Sequence, residues 1–255
     1  MEKKPIHSTS FFQFTLLTII LLLQLSTTSA QDSTQTTQQI DPSKPTNLYT
    51  QLNVQAEYNS RKYVGNLIGS RINLQYAINK DNLLFAEVPL LYNDFTKKFG
   101  LGDVRVRYFD VVKRNITSKF IAVAPFVDIT APTGNTTDSI GSGQWSLAAG
   151  VVGGFATSQK FAFFPGISYV YLTKAKISGV GLQFNGSYSF SKKTFVFINP
   201  TPLFLNDNGK WKAIWQGDFT FNTIVKPNKL KLSLDFNPDF TNENYITRFG
   251  ATFYL

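Results

Sequence analysis

The chain is 255 residues long, 15% aromatic and only 16% charged, with 24 Phe, 11 Tyr and a formal net charge of +9. It has no cysteine and one histidine, His7, which excludes disulfide frameworks, His/Cys zinc centres and nucleophile systems built on His or Cys beyond the first thirty residues. The positive charge is scattered as singles and pairs such as Lys192 with Lys193 rather than clustered, so no nucleic-acid partner is expected, and no metal, cofactor or catalytic group.

Lys3 and Lys4 precede an apolar run from Leu16 to Leu25, and Ser26 to Ala30 are small, with Thr28 and Ala30 at the −3 and −1 positions. This pattern predicts a secretory signal over residues 1–30, cleaved between Ala30 and Gln31. Residues 31–47 are rich in Gln, Thr and Ser and too poor in large apolar groups to fold alone. They read as a flexible leader, with a plug or a partner-binding tail as alternatives.

From Leu48 the chain alternates with period 2. Leu52, Val54, Ala56 and Tyr58 share one parity, with Gln51, Asn53, Gln55 and Glu57 on the other. The same holds for Ile72, Leu74 and Tyr76 against Arg71, Asn73 and Gln75, and for Leu230, Leu232 and Leu234 against Lys231, Ser233 and Asp235. Twelve strands are expected, near 48–58, 66–78, 83–92, 101–110, 119–130, 144–157, 161–172, 179–190, 194–204, 211–224, 229–237 and 246–255. Each is about as long as a tilted strand crossing a bilayer, roughly 9–11 residues. Tight connectors (79–82, 157–160, 191–193, 226–228) alternate with longer ones (59–65, 93–100, 132–143, 172–179, 237–245). Segment 111–119 is long where a short turn is due, and 206–210 short where a long loop is due.

Aromatic residues of the apolar parity gather at strand ends. Tyr58, Tyr92, Trp145 and Trp211 lie beside the longer connectors, and Tyr76, Tyr108, Phe190 and Phe253 beside the short ones or the C-terminus. Two such bands are the interface girdles of a membrane barrel. The expected fold is therefore all-β: a transmembrane antiparallel β-barrel of about twelve strands over residues 48–255, of bacterial outer-membrane type. Its partners would be outer-membrane lipids and the outer-membrane assembly machinery, for which the alternating C-terminal strand ending in Phe253 and Leu255 is the signal.

The opposite parity faces the lumen. It carries Arg71, Arg105, Arg107, Lys212, Lys231 and Arg248 against Glu57, Glu87, Asp103, Asp218 and Asp235, a nearly balanced set. Asp103, Arg105 and Arg107 on one strand form either a selectivity band or an internal ion-pair network. The segments holding Pro89, Pro125, Pro165, Pro200 and Pro202 are apolar on both parities. Either they give the lumen an apolar wall through Phe85, Val123 and Phe164, or bulges shift their register.

The stretches "NLLFAEVPLLY", "GLGDVRVRYF" and "APFVDITAPTGNTTDSIGSGQWSLAAGVVGGF" resemble the family named for the MetA pathway of phenol degradation. Gly100 to Asp103, Pro132 to Gly134 and the Gly-x-Gly-x-Trp at Gly141 to Trp145 carry the likeness, which covers roughly residues 48–255. The resemblance implies an outer-membrane barrel with a transport role, not an enzyme, and fixes no substrate. The expected function is passive or substrate-biased passage of small molecules, with small aromatic or weakly polar compounds favoured by the apolar wall. The alternative is a plugged surface barrel acting through its outer loops as a structural or adhesion protein.

Overall fold

Alternating polar and apolar residues cannot bury both faces in water, but a closed sheet gives each face its own environment. The computed structural model describes residues 41–43 and 46–255. The expected signal and its cleavage site, and the Gln/Thr/Ser-rich segment up to residue 40, lie outside the described residues.

The strands are β1 (Gln51–Ser60), β2 (Leu67–Ala77), β3 (Asn82–Asn93), β4 in three segments (Lys98–Leu101, Val104–Asp110 and Lys113–Arg114), β5 (Phe120–Ala131) and β6 (Ser146–Ala156). They continue with β7 (Phe161–Leu172), β8 (Ile177–Ser189), β9 in two segments (Thr194–Pro200 and Leu203–Asp207), β10 in two segments (Lys210–Ile214 and Gly217–Lys226), β11 (Leu230–Asp239) and β12 (Asn244–Tyr254). Each pairs antiparallel with its sequence neighbours. β12 returns to β1, with Gln51 opposite Tyr254 and Ser60 opposite Tyr245, so the ring of twelve strands closes. Closure leaves no open sheet edge, the condition for a sheet to stand in hydrocarbon.

The outer face bears that out physically. Leu74, Val106, Ile129, Ile167, Phe184, Phe219, Leu234 and Phe249 all point outward and are exposed, Phe249 by 58%. The buried residues include Gln55, Glu57, Asp128, Asn222, Ser233, Asp235 and Thr252, all on the inward parity. Apolar outside and polar inside is the pattern of a barrel surrounded by lipid.

Several connectors are shorter than expected because the alternation runs on into them. β7 reaches Leu172 and β8 starts at Ile177, which leaves 173–176 as the turn; β11 and β12 leave 240–243. The 206–210 segment is a two-residue hairpin: Asp207 pairs with Lys210 across Asn208 (φ 51°) and Gly209 (φ 83°). Positive φ at both central residues makes this a turn that Asn-Gly adopts readily. The overlong 111–119 segment is shortened by Lys113 and Arg114 pairing with Val123 and Ala122. Residues 132–145 remain a long loop.

The prolines act in two ways. β3 pairs with β4 on either side of Pro89, and opposite it β4 breaks at Gly102 and Asp103. β9 likewise breaks at Thr201 and Pro202. Pro125, in contrast, lies within a continuous register with β6, and Pro165 within one with β8, while the pairing of β6 with β7 skips Phe164 and Pro165. The bulge on β5 falls between Phe120 and Ala122, not at its proline.

The barrel interior divides into two halves. Towards the short-turn end it is packed: Phe164 and Phe195 are 1% and 2% exposed, and Asn222 and Thr252 are 0% exposed. The segment before β1 contributes to this packing. Leu48 lies against the Val111, Ala122 and Ala124 cluster, and the Tyr49 and Tyr254 rings meet edge to face at 6.2 Å. The Thr46 carbonyl accepts a hydrogen bond from Arg114 Nη1 at 3.0 Å. Part of what read as a leader is thus built into the end of the lumen.

Candidate functional site

Above this packed floor lies a belt of polar side chains, set by which inward positions on adjacent strands fall level. Glu57 on β1 pairs with Gly69, two residues from Arg71 on β2, and directly with Arg248 on β12. Its carboxylate accepts from Arg71 Nε at 2.6 Å and Nη2 at 3.1 Å, and from Arg248 Nε at 2.8 Å. Arg71 also bonds Glu87 on β3. Arg105 and Arg107, successive inward residues of β4, both donate to Asp128 on β5, Arg105 Nε at 2.9 Å and Arg107 Nε at 2.6 Å. On the other side of Arg248, its Nη1 donates to Asn237 Oδ1 at 2.6 Å. Asn237 in turn donates to Asp218 on β10, which also accepts from Asn199 on β9 at 3.4 Å.

Polar side chains thus run round nine consecutive strands, β9 through β12 and β1 through β5. The remaining arc is different. β6, β7 and β8 face the lumen there with Ala148, Ser168 and Gly181 beside Val170 and Gln183, all uncharged and mostly small. Larger polar and charged side chains on three-quarters of the ring and mostly small ones on the rest leave a cavity of about 630 Å³ beside the small wall. Arg105, Arg107, Asp128, Asp218 and Arg248 line it.

The long loop covers part of the mouth. Asp103, in the break of β4, accepts the Gly134 N–H at 2.9 Å and the Ser142 N–H at 2.7 Å. Ile140 is buried against Leu67 and Leu91. Arg61 Nη1 donates to the Ser139 carbonyl at 2.6 Å, and Asn93 Nδ2 to the Asp138 carbonyl at 2.7 Å. The loop crosses itself where a Cβ on Gly134 would lie 2.6 Å from Gly141 Cα, an approach that requires glycine. The motifs Gly100–Asp103 and Pro132–Trp145 therefore form one structural unit. A second cavity of about 400 Å³ lies beneath the loop, lined by Glu57, Arg71 and Asp103 among others.

Most of the charged residues expected in the lumen lie on its wall, though not in one group. Glu57, Arg71, Glu87, Arg105, Arg107, Asp218 and Arg248 belong to the belt. Lys231 and Asp235 lie in the packed half: Lys231 Nζ sits 5.9 Å from the Phe195 ring centre, and Asp235 accepts from Gln55 at 2.5 Å. Asp103 is a loop clamp rather than a member of a ladder with Arg105 and Arg107, because the strand breaks between them. Lys212 differs from expectation. It pairs with Leu205 on a hairpin that rises past the Gln216–Asp239 bridge, where β11 ends, and it is exposed there.

Asp128 was missed. It is the single charged residue of its strand and sits among Phe126, Val127 and Ile129, so parity in an apolar segment gave little weight to it. The expected apolar wall does not line the cavity. Phe164 is inward but sealed, Val123 takes the outward parity between buried Ala122 and Ala124, and Phe85 lies under Arg105, 5.9 Å from its guanidinium. Of the expected interface aromatics, Tyr58, Tyr76, Tyr108, Trp145, Phe190 and Trp211 are exposed on the outer face, while Tyr92 and Phe253 are half-buried.

No protein-family model and no curated protein matches the chain. Solved structures do. An outer membrane channel from Pseudomonas putida F1 is 14% identical, with a TM-score of 0.60 over 88% of this chain and 100% of that one. The NanC porin is 13% identical, with a TM-score of 0.61 over 80% of this chain and 100% of its own. The KdgM porin, solved with disordered oligogalacturonate, is 11% identical, with a TM-score of 0.56 over 80% of this chain and 99% of its own. Identities this low speak to the fold, and the fold is that of bacterial outer-membrane channels and porins: a closed twelve-stranded antiparallel barrel.

Proposed function

We propose that this chain is an outer-membrane barrel through which small molecules pass. The observation that carries the reading is the apolar exterior combined with a cavity of about 630 Å³ lined by charged side chains within the ring. The resemblance to the MetA-pathway family supports it, since that family implies transport. In this reading residues 1–30 are removed after export, the assembly machinery inserts the barrel, and the short-turn end faces the periplasm. Passage requires the packed half to open, and the segment from Thr46 to Thr50, which has no ladder of its own, is the part that can withdraw.

The cavity lining bears on the solute. Phe126 offers one aromatic surface, but most of the remaining lining is polar or small. This supports small polar solutes over the aromatic or weakly polar compounds suggested by sequence. The test is uptake into liposomes carrying the refolded barrel, comparing a small sugar, a small aromatic alcohol and small charged solutes. Uptake of the polar solutes is expected. Exclusion of all of them by a correctly folded barrel overturns the passage reading.

A further inference from the structure

The belt is unevenly charged across the cavity. From Arg248 round to Asp128 it holds four arginines (Arg248, Arg71, Arg105, Arg107) and three carboxylates (Glu57, Glu87, Asp128), all joined by the ion pairs described above, so one positive charge is left over. The surplus sits at Arg105 and Arg107, which share one carboxylate while Arg71 already engages Glu87. Each uses its Nε and Nη2 on Asp128, and among the described residues neither Nη1 has an acceptor. Both side chains line the cavity. Two guanidinium edges with unused donors facing the same space are a carboxylate-binding arrangement.

The opposite wall has the complementary deficit. β10 lies six strands from β4 in a ring of twelve, which places Asp218 across the lumen from Arg105. Asp218 forms no direct ion pair among the described residues: its hydrogen bonds come from the side-chain amides of Asn199 and Asn237, and it feels Arg248 and Arg105 only through space. Asn199 Oδ1 beside it is buried with no donor. Asp239, also at the cavity edge, is engaged by the Thr241 and Asn242 N–H groups and so does not compete. A half-buried carboxylate on the cavity wall, held by two neutral amides and by no cation within ion-pair distance, suits an ammonium group.

We infer that the cavity is a binding site for a small zwitterion, with its carboxylate on Arg105 and Arg107 and its ammonium on Asp218, which Asn199 and Asn237 hold in place. The small wall of Ala148, Ser168 and Gly181 gives the carbon skeleton room between the two. A solute bearing both charges restores balance on both walls, whereas a singly charged solute satisfies one and leaves the other as it was. This rests on the passage reading, because the site lies in the proposed conduit.

The experiment is equilibrium binding by calorimetry to the refolded full barrel in detergent micelles, with 4-aminobutyrate, butyrate and butylamine as probes. Folding of every variant is checked by heat-modifiable gel mobility. 4-Aminobutyrate is expected to bind at least about tenfold more tightly than either of the others, since it gains one further charge-assisted contact. Asp218→Asn should remove the advantage of 4-aminobutyrate over butyrate. Arg107→Gln should weaken both carboxylates, and Asn199→Ala offers a second probe of the ammonium end should Asp218→Asn misfold. Equal affinity for butyrate and 4-aminobutyrate, or no effect of the ammonium-end variants, overturns the zwitterion site. Liposome uptake of the probes without binding overturns the site and leaves the passage reading intact. Neither uptake nor binding by a folded barrel overturns both.

Discussion

Glu57 gives the sharpest test of the belt as a structural element. Its side chain is 0% exposed and takes hydrogen bonds from two arginines. In Glu57→Gln the shape survives, but the charge is lost and an amide N–H₂ faces a guanidinium. Breaking a buried pair by removing one partner costs about 3–5 kcal/mol, because the remaining charge is left uncompensated. Here the low end applies, about 3 kcal/mol, since Arg71 keeps Glu87 and Arg248 keeps Asn237. The assay is urea unfolding of the barrel refolded in lipid vesicles, followed by emission of Trp145, Trp211 and Trp215. The control is Glu243→Gln, which removes the rim pair with Lys62, where both side chains are about half exposed; that pair should leave the midpoint unchanged. Combining Glu57→Gln with Arg248→Gln should cost less than the two losses added together, by about 1–3 kcal/mol. Equal, small effects of Glu57→Gln and Glu243→Gln would refute the argument that burial makes this pair matter.

Three further outcomes follow from the same geometry. Removing residues up to Thr50 should raise single-channel conductance in planar bilayers, because Leu48 and Tyr49 help fill the short-turn end; unchanged conductance would mean the barrel's own side chains close it. Asp103→Ala leaves the buried Gly134 N–H without its acceptor, at about 1–3 kcal/mol, and frees the exposed Ser142 N–H, and should make residues 132–145 sensitive to protease while the barrel stays folded. Phe249→Arg on the outer face should destabilise the barrel in vesicles by about 2–4 kcal/mol; a neutral effect would argue against a lipid-facing position.

The architecture was legible in the sequence because a barrel wall is a local object. Alternation at Leu52 to Tyr58, or at Leu230 to Phe236, needs no partner to state which residues share a face, and twelve such stretches joined by turns limit the closed forms available. The lumen charges followed from parity for the same reason. Parity failed where a strand rises past its neighbour, as at Lys212, and it gave no weight to Asp128, whose neighbours are apolar.

What parity cannot tell is which inward residues stand level with one another. That depends on the stagger of each strand against the next, so Arg105 and Arg107 sharing Asp128, and Asp218 facing them from across the ring, were decided by the tertiary structure. The same is true of Leu48 and Tyr49 inside the short-turn end and of the long loop folded over the mouth, held by Asp103 and Ile140. By itself the sequence determined a closed, twelve-stranded wall with lipid outside and charge within, because period-2 patterning follows from the chain's own geometry. Only the closed ring decided where the lumen is full and where it is open, because that depends on side chains meeting from strands far apart in the chain.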